Sequence, residues 1–230
     1  MALTIARRSL LAFGLAPLGL AKSRIAVIAH RGEHLRNPEN SLAGIEAAIQ
    51  IGVDFVELDV RTAKSDKLIL SHDADFDETK PMVYFDDALK LLRGKCGLYL
   101  DWKAAAPEAL LAALSRHKMI EKTVVYGSFE KLQALAKLDG QLKVMPESVS
   151  VTQLNQCLSV LKPRVIAFNH RDFTDEIIAV ARQAKVDIYV DRLGPNDNKD
   201  AWIDAVKRGA TGIQTDHPEE LIAVLSSLHA

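Results

Sequence analysis

Between Ile28 and Asp73 the chain holds His30, Arg31, Glu39, Asn40, Glu57, Asp59 and His72, a set able to cleave a phosphodiester with a metal ion and two imidazoles. An imidazole with a pKa near ~6.5 can accept a proton while a second one donates at neutral pH, so His30 and His72 are the candidate acid and base. Each ends an apolar run and is followed by a charged residue, Arg31 or Asp73, which sets them apart from His117, His170, His217 and His229. Side chains two apart on a strand share a face, so Glu57 points with Asp59, and Asp101 with Lys103. Three carboxylates from adjacent strand ends can then converge, and such oxygen donors suit one divalent cation, Mg²⁺ or Ca²⁺, better than Zn²⁺. Arg31 can grip a phosphate oxygen with its planar fork, and Lys103 can add a point charge. The bland alternative is that these carboxylates cap helices or pair with Arg61 and Lys103.

The elements that must position these groups alternate. An apolar run over 25–30 reads as a buried parallel strand, and Ser41 can cap a helix whose apolar positions Leu42, Ile45, Ala48 and Ile49 recur at helical spacing and which Gly52 ends. A second strand is expected over 54–60. The gap from Val60 to Leu68 is too short for a parallel crossover, so 68–72 is expected to return as a hairpin arm turning near Ser65 and Asp66, bringing His72 beside Glu57 and Asp59. Six more strands are expected over 97–103, 123–127, 142–145, 164–168, 186–191 and 211–215. Helical patterns occupy 107–117, 129–138, 151–161, 174–184, 199–208 and 218–228. Eight strands, discounting the hairpin arm, predict an α/β fold: a (β/α)8 TIM barrel with a β-hairpin insertion after strand 2, carrying its chemistry at the C-terminal strand ends. A doubly wound sheet is disfavoured because no glycine-rich turn follows the first strand.

Bulk properties agree with one catalytic domain. The chain has 230 residues, 48% of them hydrophobic, and its 29 basic and 30 acidic residues give a net charge of -1, so no nucleic-acid partner is expected, while a small-molecule phosphodiester can still be gripped locally by the residues above. Residues 1–22 read as an export signal peptide: Arg7 and Arg8 precede an apolar run over 10–20, and Gly19 and Ala21 stand before a cleavage point at Lys22. The run is shorter than the ~20 residues a membrane span needs, so no permanent membrane anchor is expected. The paired arginines fit a twin-arginine signal loosely. The mature domain, 23–230, is thus expected to be exported to the periplasm. Cys96 and Cys157 are expected to be separate buried thiols, too far apart in a barrel to join.

The order and spacing of Ala29-His30-Arg31-Gly32, Pro38-Glu39-Asn40, Val56 to Val60 and Leu68 to Asp73 resemble the glycerophosphodiester phosphodiesterase family. Weaker similarity continues at Leu100 to Lys103, Gly127 to Phe129 and Gly209 to Pro218. The resemblance implies a barrel that hydrolyses glycerophosphodiesters to glycerol 3-phosphate and an alcohol, usually with a divalent metal. It places general acid/base catalysis on His30 and His72, phosphate binding on Arg31 and Lys103, and metal binding on Glu57, Asp59 and Asp101, with Glu39 and Asn40 in support. Two departures stand out: Asp101 occupies a position where the family usually has Glu, and the strand ending at Asp191 lacks the usual Trp-Thr-x-Asn, on the side expected to hold the alcohol. The attacking oxygen is left open between water and the substrate's own glycerol hydroxyl. The rival readings are a lysophospholipase D or sphingomyelinase D type of activity, and a non-catalytic exported glycerophosphodiester-binding protein. Glu147, Asn169 and Asp191, at other strand ends, have only position to recommend them.

Overall fold

The computed structural model describes residues 24–228, so the export signal expected over 1–22 lies outside the described residues. Eight parallel strands and their helices alternate as β1 (Ala26–Ala29), α1 (Leu42–Ile51), β2 (Phe55–Thr62), then, after a short extra strand β3 (Leu68–Leu70), α2 (Phe85–Leu92) and β4 (Gly97–Ala104). They continue as α3 (Pro107–Arg116), β5 (Thr123–Gly127), α4 (Phe129–Leu138), β6 (Lys143–Pro146), α5 (Val151–Val160), β7 (Val165–Phe168), α6 (Asp175–Gln183), β8 (Asp187–Asp191), α7 (Lys199–Arg208), β9 (Gly212–Thr215) and α8 (Pro218–Ser227). The sheet runs β6-β5-β4-β2-β1-β9-β8-β7. A bridge between Glu147 and Ala167, reinforced by the Ser148 N–H donating to the Ala167 carbonyl at 3.2 Å, joins its two ends and makes the sheet a barrel.

Two apolar layers hold it. Ile28, Tyr99, Val124, Met145, Val165, Ala167 and Tyr189 fill the interior, while Val56, Leu58, Leu98, Leu100 and Ile166 point outward against the helices. The alternation of inner and outer residues along each strand is what lets short apolar strands be buried on both faces. Local signals set the helix ends: the Ser41 hydroxyl accepts the Gly44 N–H at 3.0 Å, and Gly52, at φ 90°, ends α1 in the left-handed conformation.

The hairpin forms as expected. β3 pairs antiparallel with β2, Val60 facing Leu70 and Thr62 facing Leu68, and Asp66 takes φ 59° in the turn. The regular arm ends at Leu70, two residues earlier than the sequence suggests, and the Ser71 N–H still donates to the Asp59 carbonyl at 3.0 Å in the register of the ladder. Helix α2, which the sequence reading did not resolve, follows the hairpin and buries Phe85, Ala88, Leu89 and Leu92. Cys157 is buried in α5 as expected; Cys96, just before β4, is only half-buried, and the two thiols are free. Among the described residues no helix is long and apolar enough to cross a membrane.

Candidate active site

A pocket at the C-terminal ends of the strands encloses about 650 Å³ including its open mouth, and His30, Arg31, Glu57, Asp59, His72, Asp101 and Lys103 all line it. Asp59 and Asp101 sit directly opposite each other in the β2–β4 register, and Glu57 lies one inward-facing position below. Each of the three offers a carboxylate oxygen within 4.8 Å of the others.

Backbone strain shapes the β1 end of the pocket. Arg31 and Gly32 take φ 53° and φ 82°, which turns the Arg31 N–H onto Glu57 Oε2 at 2.8 Å. A side chain at Gly32 would lie 2.8 Å from the Gly44 carbonyl carbon, so the close approach of this loop to α1 requires glycine. Arg31 Nη1 donates to Glu39 Oε2 at 2.7 Å, and its Nε lies 3.3 Å from Asp59 Oδ2 without a hydrogen-bonding angle. Burial works against the Arg31 charge, but the Glu39 hydrogen bond and the nearby carboxylates outweigh it and raise the guanidinium pKa.

Glu39 and Asn40 stand outside the pocket lining and act on its walls. Asn40 is buried and clamps Asp59 twice: its Nδ2 donates to Asp59 Oδ2 at 2.8 Å, and its Oδ1 accepts the Asp59 N–H at 3.1 Å. Lys103 Nζ lies 2.7 Å from Asp101 and 3.2 Å from Asp59, so its ammonium is shared by two of the three expected metal ligands. The pairing of Lys103 with carboxylates, weighed as the bland reading, is therefore real. Arg61 does otherwise, its fork donating to the Ser71 and His72 carbonyls at 3.2 and 2.8 Å and so holding the end of the hairpin.

The donor set fits a divalent cation. Burial first, then the charges of Asp59 and Asp101, push the Glu57 pKa well above its ordinary value. Burial also raises Asp101, partly offset by its hydrogen bond to Lys103. Three crowded carboxylates thus carry more negative charge than Arg31 and Lys103 relieve, and a hard dication on their oxygens would reverse that penalty.

The two imidazoles are anchored differently. His30 Nδ1 lies 2.7 Å from Asp216 Oδ1, and His72 Nδ1 lies 2.8 Å from Asp73 Oδ1, whose side chain is 79% exposed. Burial opposes the Asp216 charge, but the hydrogen bond and charge of His30, followed by His34 and His217, outweigh it and lower its pKa. Asp216 was not among the sequence candidates, nor was His34, although His34 stands four residues after His30 and the Thr215-Asp216 pair ends the last strand. Asp216 is itself fixed from behind by Asp197, which accepts its N–H along with the Thr215 hydroxyl at 2.6 Å and the Trp202 indole N–H at 2.8 Å. Glu147, Asn169 and Asp191, singled out by position alone, do line the pocket on the side away from Arg31, with Glu147 accepting the Tyr126 hydroxyl at 2.8 Å and Asp191 the His170 N–H at 2.7 Å.

A (β/α)8 barrel with two histidines, an arginine and three carboxylates at one mouth has the groups that acid–base chemistry on an anionic ester calls for. A model of the Glycerophosphoryl diester phosphodiesterase family matches residues 30–92, the stretch from His30 through α2. A glycerophosphodiester phosphodiesterase of Caldanaerobacter subterraneus subsp. tengcongensis is 43% identical over 53 residues, 23% of this chain and 22% of that protein. The alignments with the first two curated relatives span under a third of those proteins' length. A crystal structure of glycerophosphodiester phosphodiesterase from Agrobacterium tumefaciens superposes with TM-score 0.76 at 24% identity, covering 86% of this chain and 99% of that one. An Oleispira antarctica phosphodiesterase, solved with the product sn-glycerol-3-phosphate, does so with TM-score 0.78 at 16% identity, covering 87% and 96%. The match to the family model is confined to residues 30–92, and the solved structures share the barrel fold over most of the chain.

Proposed function

We propose that this protein hydrolyses glycerophosphodiesters to glycerol 3-phosphate and an alcohol, using a divalent cation held by Glu57, Asp59 and Asp101 and proton transfer by His30 and His72. The observation that carries the reading is the opening of both imidazoles, Arg31 and all three carboxylates onto one pocket. The product bound to the Oleispira antarctica protein supports the substrate class.

Arg31 uses one nitrogen on Glu39 and has further N–H donors for a phosphate oxygen. Lys103 stabilises negative charge beside it, moving between the carboxylates and the phosphoryl group. His30 is suited to accept the proton of the attacking oxygen: Asp216 takes its Nδ1–H, which leaves the Nε2 lone pair for the pocket. His72, 40% exposed, is suited to protonate the leaving alcohol and to reload from solvent. A cation bound at the trio would polarise the phosphoryl group and neutralise charge that builds up there. Glu39 and Asn40 hold Arg31 and Asp59 in place.

The test is release of glycerol 3-phosphate from glycerophosphocholine, glycerophosphoethanolamine and glycerophosphoinositol, abolished by EDTA and restored by Mg²⁺ or Ca²⁺. His30→Ala and His72→Ala should each remove most turnover while circular dichroism stays native. Binding without turnover under every metal would leave the capture-protein reading instead, and preference for lysophosphatidylcholine over glycerophosphocholine the lysophospholipase D reading. Export to the periplasm with removal of residues 1–22 belongs to the same proposal, and N-terminal sequencing of the mature protein checks it.

A further inference from the structure

His34 takes no part in the chemistry above, yet its ring is held with care. Its Nδ1 lies 2.8 Å from the His30 carbonyl oxygen, and a carbonyl only accepts, so Nδ1 carries the hydrogen. A neutral His34 therefore has its lone pair on Nε2, and that nitrogen lies 3.5 Å from Asp216 Oδ1. A lone pair and a carboxylate oxygen 3.5 Å apart repel unless positive charge lies between them. The same Asp216 oxygen lies 2.7 Å from His30 Nδ1, and the donor atoms of all three residues fall within 4.8 Å of one another.

Either a proton or a metal ion could supply the missing charge, and two features favour the metal. Tying the remote ring N–H to a backbone carbonyl is the outer-shell arrangement that fixes the tautomer of metal-ligating histidines. The 3.5 Å from His34 to Asp216 is close to the ~3.3–3.4 Å edge of a tetrahedron with ~2.0–2.1 Å bonds to nitrogen and oxygen. The cluster lies behind the His30 ring: the catalytic pocket is lined by His30 but by neither His34 nor Asp216, whose side chains are 19% and 21% exposed. An ion could thus arrive without passing through the substrate pocket.

We propose that His34 Nε2, Asp216 Oδ1 and His30 Nδ1 form a second metal site, for a Zn²⁺-like transition-metal dication, whose filling withdraws His30 from proton transfer. Two imidazoles and one carboxylate select such ions over Mg²⁺ and Ca²⁺, so the site is chemically distinct from the all-oxygen trio. On binding, the neutral His30 ring loses the proton at Nδ1 to solvent and gains one at Nε2, with no net proton change. The ring then presents an N–H to the pocket and can no longer accept the proton of the attacking oxygen.

The inhibitory half of this inference rests on the proposed phosphodiesterase reading; the binding half does not. Full-length protein stripped of metal and saturated with Mg²⁺ or Ca²⁺ should take up one further equivalent of Zn²⁺ in competition with a chromophoric chelator. Co²⁺ at the same site should give visible d–d absorption, and turnover should fall as the equivalent is bound. His34→Gln should keep basal turnover and raise the Zn²⁺ needed for binding and inhibition by at least the roughly 10–100-fold that loss of even an outer-shell partner costs. His34→Asn serves if the Gln variant misfolds. Wild-type protein that binds no extra dication, or variants that bind and are inhibited as wild type is, would overturn the site. Metal uptake that depends on His34 in a protein without phosphodiester turnover would keep the site and overturn the activity.

Discussion

Asn40→Ala should cost far more than its small size suggests, because the residue does two jobs. Its backbone takes φ 54°, a conformation Asn tolerates and Ala adopts at a cost of about 1–2 kcal/mol. Its side chain makes both hydrogen bonds of the Asp59 clamp, at 2.8 and 3.1 Å, in a setting where Asn40 is 5% and Asp59 1% exposed. Removing it leaves the Asp59 N–H without that partner and takes a donor from the carboxylate, worth about 1–3 kcal/mol together. The sum is about 2–5 kcal/mol, a large part of the ~5–15 kcal/mol that holds a domain folded. Asn40→Gly lifts the backbone part and keeps the hydrogen-bond part, so the two variants separate the contributions. Urea unfolding of metal-free protein at constant pH, followed by circular dichroism, measures both. In the proposed enzyme the metal needed for half-activation should also rise, by about 10–100-fold, as it does when an outer-shell partner of a ligand is lost. An Asn40→Ala protein within about 0.5 kcal/mol of wild type, the range of ordinary surface substitutions, would refute the reasoning.

Three further outcomes follow from the same structure. Asp216→Asn keeps the shape of the acid but lets its amide donate to His30 Nδ1, turning the lone pair away from the pocket; turnover should fall by about 10²–10⁴-fold with little change in KM, and a loss of only a few fold would remove Asp216 as a positioning residue. Glu57 binds more protons folded than unfolded, since burial, then Asp59 and Asp101, hold its pKa well above 4.5; in metal-free protein its contribution is full below that value and is lost as pH rises through the folded one. Lacking that titration, Glu57→Gln should show a flatter unfolding free energy against pH than wild type, and parallel curves would count against it. Thiol titration should find two free cysteines after unfolding and slow reaction before it, as Cys157 is buried and burial pushes the Cys96 thiol up to about 12; loss of both thiols to an oxidant without unfolding would mean a disulfide.

Much of this site was legible because strand periodicity and motif order act locally. Glu57 and Asp59 two apart on β2, Asp101 and Lys103 two apart on β4, and a return to His72 too short for a crossover each follow from a few neighbouring residues. What stayed hidden needs distant elements to meet. Asp216 reaches His30 only because β9 pairs with β1, Thr215 opposite Ala29, across 186 positions of sequence. Asp197 looked like one acid in a loop of Gly, Pro and Asn, and no local pattern could reveal that it receives donors from Trp202, Thr215 and Asp216 together. Arg61 was weighed as a partner for carboxylates, whereas its position beyond the register shift at Val60 turns it toward the hairpin carbonyls.

That contact bears on how the two histidines can work as a pair. His30 grows from a strand with neighbours on both sides, and its partner Asp216 is fixed by Asp197, so the ring has little freedom to leave its line of approach. His72 follows an arm of three residues paired on one side with β2 and on the other bridged by Ile69 to Tyr84, with the Leu70 N–H donating to the Val83 carbonyl at 2.9 Å, and its partner Asp73 stands in solvent. Among the described residues, the Arg61 fork and the Ser71–Asp59 backbone bond are the hydrogen bonds that tie the imidazole's own segment to the barrel. The fork holds the end of the arm where the imidazole begins, while leaving the ring open to exchange protons with water. In the proposed reaction, a sheltered acceptor at His30 and a tethered, solvent-connected donor at His72 would divide the work of a displacement at phosphorus, the proton taken from the nucleophile and the proton given to the leaving oxygen being handled by different rings.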